Sequence, residues 1–153
     1  MTQGKKVAAQ APQALQALQG ALAAEHAAIY GYGVVGAMLS GADQAAALTD
    51  WKLHQEARDT LEAMIVQLGA TPVAASVAYG LPFAVRDAQS ARRLAAVLED
   101  GVTQGYLGLV AVTDQTLRMF GALAMQPPAN RAAYWRGSTV AFPGMPSGQV
   151  TNE

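Results

Sequence analysis

Cysteine is absent from the 153 residues, and histidine occurs only twice, at His26 and His54. The first absence excludes a disulfide scaffold, a cysteine-ligated metal site and thiol chemistry. Charge is scarce as well: 14% of the residues are Asp, Glu, Lys or Arg, ten basic against eleven acidic, for a formal net charge of −1. A balance this even leaves no electrostatic footprint for nucleic acid or an anionic membrane, so neither is expected as a partner. Long apolar runs are missing too. The most apolar window, Ala27 to Leu39, holds about 13 residues and is broken by Tyr30, Gly31, Tyr32 and Gly33, against the roughly 20 that a bilayer-spanning helix needs. Lys5 and Lys6 are followed by a Gln-studded stretch rather than by the apolar core of a signal peptide. A soluble, cytoplasmic protein is the expectation. The chain also carries no G-x-S-x-G nucleophile elbow and no Walker-A loop.

What is abundant is small and apolar. Hydrophobic residues make up 52% of the chain, and 33 residues are alanine. That composition suits one helical domain with a real core and argues against disorder. Four helical stretches can be read from apolar steps of three and four. The first runs from about Pro12, a residue suited to the first helical position, to Leu39, through Leu15, Leu18, Leu22, Ile29, Tyr32 and Gly36. The second starts near Asp43 as N-cap and runs to Leu68, with Ala47, Trp51 (or Asp50), Ala57, Leu61 and Ile65 inward and Gly69 as its stop. The third starts at Asp87 and reaches about Thr113. The fourth runs from Asp114 to Arg136, with Leu117, Phe120, Ala124, Arg131 and Trp135 in rough helical step. Pro127 and Pro128 remove two N–H donors, so this last helix must kink or break there. Glycines 31, 33 and 36 on the first helix and 101, 105 and 108 on the third are read as sites of close helix approach.

Gly69 to Arg86 contains Pro72, Gly80 and Pro82 and no helical period. A structureless stretch of this size needs a reason. Helix two, about 26 residues long, spans roughly 39 Å, and the linking residues at about 3.3 Å each cover more than that. The segment can therefore travel the length of a bundle. Two helices, a long crossover between helices 2 and 3, then two helices is the connectivity of a ferritin-like four-helix bundle, so the expected fold is all-α of that kind. The expected limits are a flexible segment over 1–11, the bundle over 12–146 and a flexible tail over 147–153, with Phe142 docking back on the body.

Any chemistry must sit where polar residues fall on apolar stripes. The first-helix stripe carries Glu25, with His26 one position off it. The second carries His54 and Arg58. Glu99 and Asp100 lie beside the third. A buried carboxylate needs a partner or it neutralises, and Glu25 with His54 or Arg58 is the natural pair. The fold class raises the question of a two-metal centre, which takes a Glu from each of two helices and Glu-x-x-His from each of the others. This chain has no Glu-x-x-His, and its fourth helix has neither Glu nor His. No metal is expected; if one binds, Glu25, His54, Glu99 and Asp100 are the candidate ligands, for iron, manganese or zinc.

Several segments together resemble a known family: Ala24-Glu25-His26-Ala27-Ala28-Ile29-Tyr30-Gly31-Tyr32-Gly33, His54-x-x-x-Arg58-Asp59, Tyr79-Gly80-Leu81-Pro82-Phe83, Leu98-Glu99-Asp100-Gly101, and Trp135-Arg136-Gly137 with Phe142-Pro143-Gly144. The chain is similar over most of its length to an actinobacterial domain-of-unknown-function family with a ferritin-like fold. The resemblance implies the bundle and implies no activity. The polar layer expected in the core comprises Glu25, His26, His54, Arg58 and Asp59. The functional expectation is a module that self-associates, a dimer being favoured, or binds a protein partner, and not an enzyme. The alternatives are a ferritin-like metal binder or oxidoreductase with an unusual ligand set, and a bundle holding a small molecule around Tyr30, Tyr32 and Tyr106.

Overall fold

The computed structural model describes the backbone of residues 2–145 and side-chain surroundings from residue 12 onward. The described residues form five helices and no strand: α1 (Thr2–Met38), α2 (Gly41–Gln67), α3 (Ala88–Val110), α4 (Gln115–Ala124) and α5 (Gln126–Arg136). The all-α expectation holds. The expected tail over 147–153 lies outside the described residues.

Local chemistry sets most of the boundaries. Asp87 caps α3 by accepting from the Ser90 N–H at 2.7 Å, and the Ser90 hydroxyl returns a bond to the Asp87 N–H at 3.1 Å, a reciprocal capping box. Asp114 caps α4 through the Leu117 N–H at 2.8 Å. Gly69 and Gly137 follow α2 and α5 with φ of 74° and 77°, the left-handed conformation that glycine enters without a Cβ penalty. At the paired prolines the expected fourth helix becomes two, α4 and α5, meeting at Met125. Two starts differ from the reading above. Helix α1 begins ahead of Pro12, which lies inside it. Ser40, not Asp43, is the N-cap of α2. Asp43 sits in the first turn, where a carboxylate favours the helix dipole, and binds Arg92 at 2.6 Å.

Helix α1 packs on both α2 and α3, and α3 packs on α4 and α5. Along α1 and α2 contacts run in opposite order: Glu25 with His54, the Ile29 carbonyl with Trp51, the Gly36 carbonyl with Gln44. Along α2 and α3 they run in the same order, Asp43 with Arg92 and His54 with Glu99. The connection between α2 and α3 is laid along α1. Gln19 holds it through the Thr71 carbonyl and the Val73 N–H, each at 2.7 Å, Tyr30 meets Tyr79, and Leu81, Phe83 and Val85 pack on the core. Two apolar clusters result. One gathers Leu18, Leu22, Leu61, Ile65, Val102 and Leu109. The other gathers Val35, Leu39, Ala47, Leu94, Ala95 and Trp135. On α2 and α3 the buried polar residues fall at the step between these clusters, and on α1 Glu25 lies within the first, one turn short of its end.

Only some of the glycines serve close approach. A Cβ at Gly105 would stand 3.0 Å from Ala24, where α3 crosses α1, and one at Gly31 would meet the tip of Leu98. Nothing lies within 4 Å of the corresponding point at glycines 33, 36, 101 and 108. Gly31, Gly33 and Gly36 spell G-x-G-x-x-G, but inside α1, where the backbone N–H groups are spent on the helix and no strand–turn–helix cradle exists. At Gly121 a Cβ would come within 2.6 Å of Leu109 Cβ and 3.1 Å of the Tyr106 carbonyl oxygen. Gly121→Ala is expected to cost roughly 1–3 kcal/mol by overpacking; an unchanged melting temperature would show that α4 has room to move off α3. At the C-terminal end the docking residue is Gly144, with φ 78° and its α-carbon face against Thr103 and Gln104. Phe142, expected to dock, is 73% exposed, because the turn at 142–145 places the small residue against α3 and leaves no room there for a ring.

Candidate functional site

The hydrogen-bonding side chains where the two clusters meet come from four helices at helical spacing. Helix α1 supplies Glu25 and Tyr32, two turns apart. Helix α2 supplies Asp50 and His54, and α3 supplies Glu99, Thr103 and Tyr106. Helix α5 supplies Arg131 and Trp135. A step of four or seven residues returns to the same helix face, so each set points one way.

His54 is the hub. Its Nδ1 lies 2.6 Å from Glu25 Oε2 and its Nε2 lies 3.1 Å from Glu99 Oε1, with all three side chains buried. A ring flanked by acceptors on both nitrogens satisfies both only as the imidazolium. Burial pulls the His54 pKa down, but the hydrogen bonds and charges of Glu25 and Glu99 outweigh it and raise the value to about 9. Glu99 Oε1 also accepts from the Tyr32 hydroxyl at 2.5 Å and from Arg131 Nε at 2.8 Å. Burial works against the Glu99 carboxylate, yet His54 and Arg131 hold it below its ordinary value. Glu25 Oε1 accepts from the Tyr106 hydroxyl at 2.8 Å. Asp50 Oδ2 accepts from Trp135 Nε1 at 2.9 Å, and Tyr32 OH lies 3.3 Å away. Burial pushes Asp50 toward its neutral form. Two glutamates thus face two basic groups in a dry layer. Thr103 secures α3 locally by donating to the Glu99 carbonyl at 2.8 Å.

Glu25, His54 and Glu99 converge as the stripes imply. Asp100 does not: it pairs with Arg136 and is partly exposed. His26 is buried but turns to the connecting segment, with Nε2 at 3.0 Å from the Val73 carbonyl. Arg58 and Asp59 are corrected outright. They bind each other at 2.7 Å with side chains 29% and 65% exposed, because adjacent residues on α2 pair locally without entering the core. The three tyrosines do not share a pocket: Tyr106 is in the core on Glu25, and Tyr30 lies against Tyr79 at the surface. Tyr32 instead borders a cavity of about 520 Å³ at the junction of α1 and α2, lined also by Gly33, Gly36, Gln44, Leu48 and Trp51.

The inward position on α2 is Asp50, only 8% exposed, while Trp51 is half-buried and donates to the Ile29 carbonyl at 3.1 Å. Arg131, Asp50, Tyr32, Tyr106 and Trp135 complete the layer, which the sequence reading did not assign to them. The available signal was spacing: Asp50 precedes His54, and Arg131 precedes Trp135, by one turn.

A metal centre needs several free donors converging on one point, and most of the donors here already have partners. Both imidazole nitrogens are committed to carboxylates, and a guanidinium already occupies Glu99. Among the described residues no group of three or more His, Cys, Asp or Glu side chains is arranged to hold a metal ion. No helix among them is long and apolar enough to cross a membrane.

Comparison with known proteins adds kinship without an activity. No curated protein matches the chain. A crystal structure of a conserved hypothetical protein from Mycobacterium tuberculosis is 31% identical, with a TM-score of 0.79 over 82% of this chain and 96% of that one. The domain of unknown function DUF4439 matches residues 17–147, polar layer included, and the chain belongs to that family.

Proposed function

We propose that the chain is a ferritin-like four-helix bundle whose centre is neutralised by its own side chains in place of metal ions, and that it works as a self-associating or partner-binding module rather than as an enzyme. The connectivity supports the ferritin-like part. Contacts between α2 and α3 run in the same order, and a long irregular segment laid along α1 joins them, as one crossover requires. The observation that carries the metal-free part is His54, held at both nitrogens between Glu25 and Glu99, with Arg131 on the same Glu99 oxygen. Here His⁺ and Arg⁺ take the role that cations play in a metal-bearing bundle.

The small-residue junction of α1 and α2 supports association through that face, with a second copy as partner. Gly33 and Gly36 each weaken α1 by about 1 kcal/mol relative to alanine, and among the described residues nothing lies within 4 Å of where their Cβ atoms would stand.

Elemental analysis of protein purified without chelator tests the centre. Iron, manganese and zinc are expected well below one per chain. Stoichiometric metal that disappears in Glu25→Ala or His54→Ala would overturn the reading. Sedimentation equilibrium tests the association: a dimer is expected for the parent chain and a monomer for Gly36→Glu, and a parent chain that is monomeric at all concentrations removes the self-association.

A further inference from the structure

We infer that Arg131 stands where a divalent cation would otherwise bind, and that removing its charge turns Asp50, His54 and Glu99 into a divalent-cation site. This rests on the metal-free reading of the centre. Three observations carry it. Arg131 Nε lies 2.8 Å from Glu99 Oε1 and 3.9 Å from Asp50 Oδ1, so one guanidinium spaces apart two carboxylates brought in by α3 and α2. Glu99 is fully buried, yet its second oxygen, Oε2, has no donor. An orphaned carboxylate oxygen in a dry layer is costly and is an open ligand. Finally, the Arg131 and Asp50 side chains are 18% and 12% exposed whereas those of His54 and Glu99 are at 0%, so solvent reaches the layer on the side where Arg131 and Asp50 lie.

Without Arg131 the layer would hold one basic group against Glu25 and Glu99, with the Asp50 carboxyl beside them. A small dication restores the balance, and the two carboxylates can close on it. His54 can join by giving up the proton it holds between the glutamates, since metal binding releases protons from its ligands. Two carboxylates and an imidazole suit Mn²⁺ or Zn²⁺.

The experiment titrates Mn²⁺ and Zn²⁺ separately into the parent chain, Arg131→Lys, Arg131→Ala and Arg131→Ala/Glu99→Gln, by calorimetry and thermal melting. The parent chain and Arg131→Lys, which keeps the charge, are expected to show no binding heat. Arg131→Ala is expected to bind one cation per chain with a rise in melting temperature, and the double variant to lose both. A folded Arg131→Ala that binds neither ion overturns the inference, as does binding undiminished by Glu99→Gln. Where Arg131→Ala does not fold alone, folding rescued by either ion supports the inference. Arg131→Met, which keeps an apolar stem in the gap, is then read in the same way, and failure of both variants to fold or bind with the ions present overturns it. The two readings fail separately: metal already in the parent chain sinks the metal-free centre, whereas a metal-free parent with an inert Arg131→Ala sinks only the role given to Arg131.

Discussion

Glu99→Leu is expected to lower the unfolding free energy by roughly 3–5 kcal/mol at neutral pH. One oxygen of this side chain accepts from His54, Tyr32 and Arg131. The substitution leaves an imidazolium with one partner instead of two and strips a largely buried guanidinium of its only close carboxylate, since Asp50 is 3.9 Å away. The leucine adds apolar contact, but the uncompensated charge outweighs it, because an unpaired buried ion loses its hydration without a return. With total stabilities of small domains at about 5–15 kcal/mol, the loss is a large share. Urea unfolding should show it as a lower midpoint at unchanged slope. Adding Arg131→Met should recover much of the loss, since removing both members of a buried pair is often close to neutral. A midpoint for Glu99→Leu equal to that of the parent chain would mean that the glutamate does not hold the layer together.

The second large effect is a loss of stability in mild alkali. The His54 pKa stands at about 9 in the folded chain against 6.5 for the free side chain. A group whose folded value is raised contributes stability that is complete below the unfolded value and disappears as pH rises through the folded one. The window therefore runs from 6.5 to about 9, and the contribution lost across it is on the order of 3 kcal/mol. Glu99 acts at the other end. Its folded value is lowered, so its contribution is present above the ordinary carboxylate range and fades as pH falls through the depressed value. A stability maximum near neutral pH is the expected profile. Denaturation midpoints measured across mild alkali should decline in the parent chain and stay level over the same window in His54→Gln. An equal decline in both would assign the effect to other groups.

Glu25 and His54 were legible because each interrupts a clear apolar stripe: Leu18, Leu22 and Ile29 around the first, Ala47, Leu61 and Ile65 around the second. Asp50 was legible only as the alternative to Trp51, because the adjacent tryptophan offered a more apolar reading of the same turn. Asp50 is tolerated inside because partners far along the chain meet it: Trp135, 85 residues away, donates to it, and Tyr32 and Arg131 lie beside it. Arg131 was hidden differently. It lies in rough helical step with Leu117, Phe120 and Trp135, but a charged side chain on an apolar stripe reads as a solvated end unless its carboxylate partner, 32 residues away, is known. Arg58 and Asp59 show the converse error. Their charges suit a buried pair, but neighbours on one helix diverge by about 100°, and nothing in their own turn decides which one faces inward.

Helical content, the caps at Asp87 and Asp114, the stop at Gly69 and the break at the paired prolines were determined by the chain's own order of residues. Each depends on backbone geometry and on partners within one turn. The tertiary structure alone decided which buried charges meet. Glu25 finds His54 across 29 positions and Tyr106 across 81, and Arg131 reaches Glu99 across 32. The state of an ionisable group in a dry interior is set by what lies within a few ångströms of it, and that distance exists only once the helices have packed.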